Sequence, residues 1–250
     1  MHQNSQAEDS TKKTKTIRAD KLLSSLGVAS RRGIEAFLKH SSITANGVKI
    51  TEHGQRIPMK SVIKINGQEL SKPKKVYFLI NKPKGIVSTA SDEFGRKNVV
   101  SLIKTKERIF PIGRLDRDTH GLLILTNDGE LTNMLIHPRY HIPKTYLLKI
   151  KTPINPPQIE KFEKGVTLED GVTSPAKVAV LQRRKDATIL EVVLYEGKKR
   201  QIRRMCEALN LPLADLERIK FGNITLDGLK EGEYRAMTGI EVEKLRRLCT

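Results

Sequence analysis

The residues best placed to do chemistry are an aspartate and the two arginines around it, Arg114, Asp116 and Arg117, in the stretch GRLDRDTHGLLILTNDG from Gly113 to Gly129. If this segment is a strand, alternation sends the side chains next to Asp116 to the opposite face. Two roles fit Asp116 on local sequence. It can be a reactive carboxylate, or it can accept backbone hydrogen bonds in a loop as many aspartates do. A second concentration of functional groups lies in YEGKKRQIRRM, Tyr195 to Met205, where Lys198, Lys199, Arg200, Arg203 and Arg204 fall within seven residues. Such a cluster suits phosphate binding, and one of its members could serve as counter-charge to a carboxylate. Tyr146, in KTYLLKI, reads on local sequence as an ordinary strand aromatic.

Composition narrows the partners. The chain has 250 residues, with 46 Lys and Arg against 28 Asp and Glu, a net charge of +18. That excess speaks of polyanions, because neutralising phosphates releases condensed counterions. A membrane surface would call for a basic amphipathic helix with bulky apolar anchors, and the sequence has none. Nor does it have an eighteen-residue apolar run or the apolar core of a signal peptide. A soluble, cytoplasmic protein is expected. Cys206 and Cys249 are too few and too far apart for a disulfide framework or a zinc site, and Cys206 reads as a small buried residue. The six histidines show no ligand spacing, so no metal is expected. Without a GxGxxG after a strand or a glycine-rich phosphate loop, nucleotide hydrolysis and dinucleotide binding are unsupported.

The elements fall into three regions. Residues 1–16 are polar and aperiodic and read as a disordered tail. In residues 17–71, Leu22, Leu23 and Leu26 mark a short helix closed by Gly27. Ser30 reads as the N-cap of a second helix with Ile34, Phe37 and Leu38 on its apolar stripe. Short strands then turn at Asn46-Gly47 and Asn66-Gly67, both strong hairpin signals. Residues 1–75 hold 15 Lys and Arg and 6 Asp and Glu, half of the excess charge. Arg31 and Arg32 sit in the first turn of the second helix, where the macrodipole disfavours cations, a placement that favours phosphate contact. Residues 72–75 read as a charged, proline-stiffened linker. From 76 to 250, strand-like runs (Tyr77–Ile80, Leu122–Thr126, Tyr146–Ile150, Lys177–Leu181, Ile189–Leu194) interleave with helical patterns at Glu130–Ile136, Pro157–Lys164 and Arg200–Leu209. Hairpin-like turns are expected at Asn127-Asp128-Gly129 and near Glu196-Gly197. The reading is a mixed α+β domain on a largely antiparallel sheet flanked by helices.

These blocks carry a resemblance. KPKGIVST (Lys82–Thr89), FPIGRLDRDTHGLLILTNDGEL (Phe110–Leu131), HPRY (His137–Tyr140), KTYLLKI (Lys144–Ile150) and YEGKKRQIRRM stand in the order found in the RsuA/RluB/RluF family of ribosomal RNA pseudouridine synthases. Residues 17–71 resemble the small RNA-binding module named for ribosomal protein S-four. The resemblance implies an isomerase acting on ribosomal RNA, with Asp116 as catalytic aspartate, Tyr146 as active-site tyrosine and Arg203 as its basic partner, Arg200 being second choice. It also implies RNA contact by Arg31, Arg32, Arg114, Lys198, Lys199, Arg200 and Arg204, and a monomer. IVST leans the target towards large-subunit RNA. The reaction gains and loses no atoms or electrons, so no cofactor is expected. Asp116 could attack the sugar carbon or take a ribose proton. His120 is expected at the surface or against RNA. A non-catalytic RNA-binding or ribosome-assembly factor of the same fold is the alternative. An RNA methyltransferase would need a glycine-rich doubly wound domain, which is missing.

Overall fold

The computed structural model describes residues 15–92 and 95–249 and divides the chain into two compact units that meet between Lys74 and Lys75. The expected tail falls on residues outside those described, apart from Lys15 and Thr16, and Thr16 already opens a strand.

In the first unit, β1 (Thr16–Arg18) pairs antiparallel with β4 (Arg56–Pro58) and leads into α1 (Ala19–Ser25). Gly27, at φ +84°, turns the chain out of α1. The Ser30 hydroxyl accepts from the Gly33 N–H at 2.9 Å and its carbonyl from Ile34. However, α2 (Gly33–His40) begins after Arg32, which is its N-cap residue in place of the expected Ser30, so Arg31 and Arg32 precede the helix rather than occupying its first turn. β2 (Ile43–Ala45), β3 (Val48–Lys49), β5 (Ile63–Ile65) and β6 (Gln68–Glu69) form a small sheet in the order β3-β2-β5-β6. Its two hairpins turn at Asn46-Gly47 and Asn66-Gly67, all four residues at positive φ. Leu23, Ile34, Ile43 and Ile63 fill the core between helices and sheet.

The second unit is built on one nine-stranded sheet. Its main path runs β13 (Lys177–Arg183), β14 (Thr188–Leu194), β10 (Lys144–Ile150), β15 (Leu213–Phe221), β9 (His120–Thr126), β7 (Tyr77–Lys82), β17 (Tyr234–Ala236). β8 (Phe110–Pro111) pairs with β9 and β16 (Ile224–Thr225) with β15, while β11 (Thr167–Leu168) and β12 (Gly171–Val172) make a separate hairpin. Only β15 against β9 is parallel among these pairings. The apolar run of β9 is buried on both faces. Leu122 and Ile124 meet α3 (Gly129–Ile136) and α6 (Gly239–Arg247), while Leu123 and Leu125 meet Val99, Ile103 and Ile109. β14 alternates, turning Leu190, Val192 and Leu194 onto Phe162 of α4 (Pro156–Lys164) and onto Ile202, Met205 and Cys206 of α5 (Gln201–Ala208). Cys206 is buried as expected, and burial pushes its thiol up to about 12.

Two expected hairpin turns are strand-to-helix connections. The Asp128 carboxylate accepts from the Glu130 and Leu131 N–H groups and starts α3. Glu196-Gly197 leads from β14 to α5, and the Glu196 carboxylate accepts from Gln201 of that helix. Tight turn chemistry and helix capping use the same residue types, so local sequence does not separate them. β15 and α6 were not anticipated. In β15, Leu213, Leu216 and Ile219 recur at three-residue spacing, which masks the period of two.

Candidate active site

Asp116 lies in the loop between β8 and β9, not in a strand, so the alternation argument for its neighbours does not apply. The loop is clamped from three directions. Ser88 donates to the Leu115 carbonyl at 2.8 Å and accepts from its N–H at 3.1 Å. The Lys82 ammonium, with no exposed surface, donates to the carbonyls of Thr119 at 2.8 Å, Pro83 at 2.9 Å and Arg117 at 3.4 Å. Burial pulls Lys82 down to about 8, against the opposing pull of Asp118 and Asp116. Arg203, on α5, donates through Nη2 to the Asp118 carbonyl at 3.0 Å and to the Thr119 hydroxyl at 3.2 Å. Its Nε faces Asp116 Oδ2 at 3.8 Å and is a buried N–H with no hydrogen-bond partner. The Asp116 side chain is one-third exposed.

Beyond the loop, β15 crosses β9 closely. A Cβ on Gly121 would stand 2.3 Å from the Arg218 carbonyl oxygen, and Gly121 has φ +105°. Only glycine permits that approach. Across the next ladder, Arg218 pairs in register with Tyr146 of β10. The Asp116 loop, Tyr146 and Arg218 therefore lie on three adjacent strands and their ends.

They share a cavity of about 380 Å³, lined by Asp116, Thr119, Lys144, Tyr146, Arg203, Arg218 and Phe221 among others. Tyr146 is half-buried there. Arg114 and Arg200 line it and are exposed, and Lys198 lines it while donating to the Val172 carbonyl at 3.1 Å. Lys199 is exposed and outside the lining. Arg204 also stands outside it and pairs in bidentate fashion with Asp170, at 2.7 and 3.1 Å. Arg31 and Arg32 belong to the first unit, where Arg31 bonds the buried Asp20 carboxylate at 3.0 Å and Arg32 is exposed. His120 does not stand free at the surface: its Nε2 lies 3.2 Å from Asp215, a carboxylate that Lys84 reaches at 2.6 Å.

Lys82, Ser88, Lys144 and Arg218 are the site residues that sequence reasoning left without a role. The first three lie inside the motif blocks, and Lys82 carried one signal, an ammonium ending the apolar strand YFLINK. Arg218 carried none. Among the described residues no helix is long and apolar enough to cross a membrane, and no three His, Cys, Asp or Glu side chains are grouped to hold a metal ion.

Residues 76–208 match the family model for RNA pseudouridylate synthase. The chain is 42% identical to the ribosomal large subunit pseudouridine synthase B of Bacillus subtilis (strain 168), over 93% of this chain and 96% of that protein. It is 35% identical to the dual-specificity RNA pseudouridine synthase RluF of Escherichia coli (strain K12), over 93% of this chain and 79% of that one. A crystal structure of a pseudouridylate synthase superposes with a TM-score of 0.67 at 29% identity, covering 92% of this chain and 99% of the other.

Proposed function

The chain belongs to the RNA pseudouridylate synthase family, and from that premise we propose that it isomerises a uridine of ribosomal RNA with Asp116 as its catalytic carboxylate. The carrying observation is that Asp116, Tyr146 and Arg203, from three separated segments, line one cavity. The kinship with a ribosomal large-subunit synthase favours a large-subunit target.

Each residue has a task in the chemistry. Breaking the bond from ribose C1′ to uracil N1 makes the sugar carbon cation-like, the electrostatic problem that glycosidases meet with a carboxylate. Asp116 answers it by bonding C1′ or by taking a ribose proton. The Arg203 guanidinium, with Nε 3.8 Å from Asp116 Oδ2, sets a fixed positive charge beside that carboxylate. Tyr146 offers a face for the flipped uracil and a hydroxyl for proton transfer. Flipping costs a few kcal/mol, offset by phosphate contacts from Arg114, Lys198, Lys199 and Arg200 at the rim and from Arg31 and Arg32 in the first unit, which anchors the RNA. Arg204 serves as a further phosphate contact when RNA displaces Asp170. The protein works as a cytoplasmic monomer.

The test is pseudouridine mapping of ribosomal RNA by carbodiimide-blocked reverse transcription, in cells with and without the gene. One position is expected to vanish and to return with wild type but not with Asp116→Asn. Return with Asp116→Asn would leave a non-catalytic RNA-binding role for that residue and refute the assignment.

A further inference from the structure

Besides the Asp116–Arg203 pair, the cavity is lined by two more cations, Lys144 and Arg218, that the chemistry of Asp116, Tyr146 and Arg203 leaves unused. Arg218 has only 2% of its surface exposed. Its Nε donates to the Leu122 carbonyl at 2.8 Å, its guanidinium lies over the Phe221 ring at 5.3 Å, and its Nη2 is buried without a hydrogen-bond partner. Lys144 also sits over Phe221, at 5.8 Å, and donates to the Ile142 carbonyl at 2.8 Å. Both line the cavity, and neither forms an ion pair among the described residues. Burial first and the Arg218 guanidinium second pull Lys144 down to about 8. Arg218 is buried and Lys144 half-buried beside it, with only the cavity-lining Glu196 acting on Lys144 as an opposing charge, and cations so placed are costly to fold. Such an arrangement becomes favourable when an anion is placed against it.

We infer that Lys144 and Arg218 form a cationic floor that stabilises the detached uracil as an anion. The inference rests on the reading of Asp116 as the group that acts at the sugar. As the C1′–N1 bond breaks, its electron pair leaves with the base and spreads over N1, O2 and O4. The positive charge left on the sugar is met by Asp116, through a C1′–O bond or by loss of a ribose proton to the carboxylate. The base then turns, C5 bonds C1′ with reversal of the Asp116 step, the C5 proton is lost and N1 gains one. The sum is an isomerisation. Tyr146, directly across the ladder from Arg218, stacks the base over this floor while it turns. The same chemistry would suit an RNA phosphate, but Arg218 is buried and Lys144 half-buried, whereas Arg114 and Arg200, which line the same cavity, are exposed.

The experiment measures single-turnover pseudouridine formation and RNA affinity for wild type, Arg218→Met and Lys144→Met, each checked for a wild-type far-UV spectrum. Substrates are the target RNA and the same RNA with 5-fluorouridine at the target, whose fluorine stabilises the departing base itself. Because its C5 has no proton to lose, that RNA is followed by single-turnover cleavage of the N1–C1′ bond rather than by pseudouridine formation. The expected result is a rate loss of roughly 10²-fold or more with affinity within about threefold, and a smaller loss on the fluorinated RNA. Lys144→Met keeps the test alive if Arg218→Met fails to fold. Lost affinity with an unchanged rate would make the floor a phosphate site and overturn the inference. An equal rate loss on both RNAs would overturn it too. Inactive wild type on ribosomal RNA would instead strike the functional reading.

Discussion

At the scale of the residue, the site is an aspartate whose loop is held from outside. Arg203 has two jobs, since Nη2 holds the Asp118–Thr119 backbone and Nε faces Asp116. Arg203→Lys keeps a charge but loses this division of labour. It is expected to lower the single-turnover rate by about 10²-fold, and a rate within threefold of wild type would show that charge alone suffices. Lys82 gives a pH signature. Its folded value of about 8 lies below its ordinary 10.5. The unfolded chain therefore binds more protons between those values, and stability gained from Lys82 rises with pH across that window. Compared by urea unfolding, wild type should gain on Lys82→Met between pH 8 and 10, and a constant difference would show that Lys82 is not held depressed. Asp116, Tyr146 and Arg203, the proposed site residues, could be singled out because each stands in a motif block, and the fold brings them to one cavity. Lys82 could not be, because what distinguishes it is three carbonyls supplied by residues 1 to 37 positions away.

At the scale of the element, two contacts decide where the loop sits. The parallel approach of β15 to β9 depends on Gly121. Gly121→Ala places a Cβ 2.3 Å from a backbone oxygen at φ +105°, costing about 2–5 kcal/mol in strain and overpacking. A fall in the urea midpoint together with lost activity is expected, and wild-type values for both would refute the close crossing. At the other end of β9, Asp128 caps α3, accepts from the Tyr77 hydroxyl at 2.8 Å and meets Arg246 of α6. Asp128→Ala should cost about 2–3 kcal/mol, roughly 1 from the cap and the rest from the Tyr77 O–H, which loses its acceptor while still accepting from Arg246. The strands of period two and the helices with a clear apolar stripe could be read directly. The 127–129 and 196–197 turns could not, because whether a helix or a strand follows depends on what the next segment packs against.

At the scale of the whole molecule, the apolar cores are separate. One lies wholly within residues 17–70, and the other three lie wholly within residues 76–249. Residues 75–250 alone are therefore expected to unfold cooperatively. If the first unit anchors RNA, its removal weakens binding and flattens the dependence of log affinity on log salt, by close to one for each phosphate that is no longer neutralised. Titrations between 50 and 200 mM salt test this, and an unchanged slope would place all phosphate binding on the second unit.

The sequence by itself determined the α+β class, most strands of the large sheet, the hairpins and two helices of the first unit, the basic character and the family. These are properties of composition, local periodicity and ordered motifs, which a chain carries before it folds. The tertiary structure decided that Lys82 and Ser88 clamp the Asp116 loop, and that Arg218 lies 96 residues from the carbonyl it binds. It also decided that Lys144 shares the cavity with Arg218. The reason is that periodicity records which face of an element is buried but not which strand lies beside it. That neighbour is set by the order β10-β15-β9, and so by the one crossing that Gly121 permits.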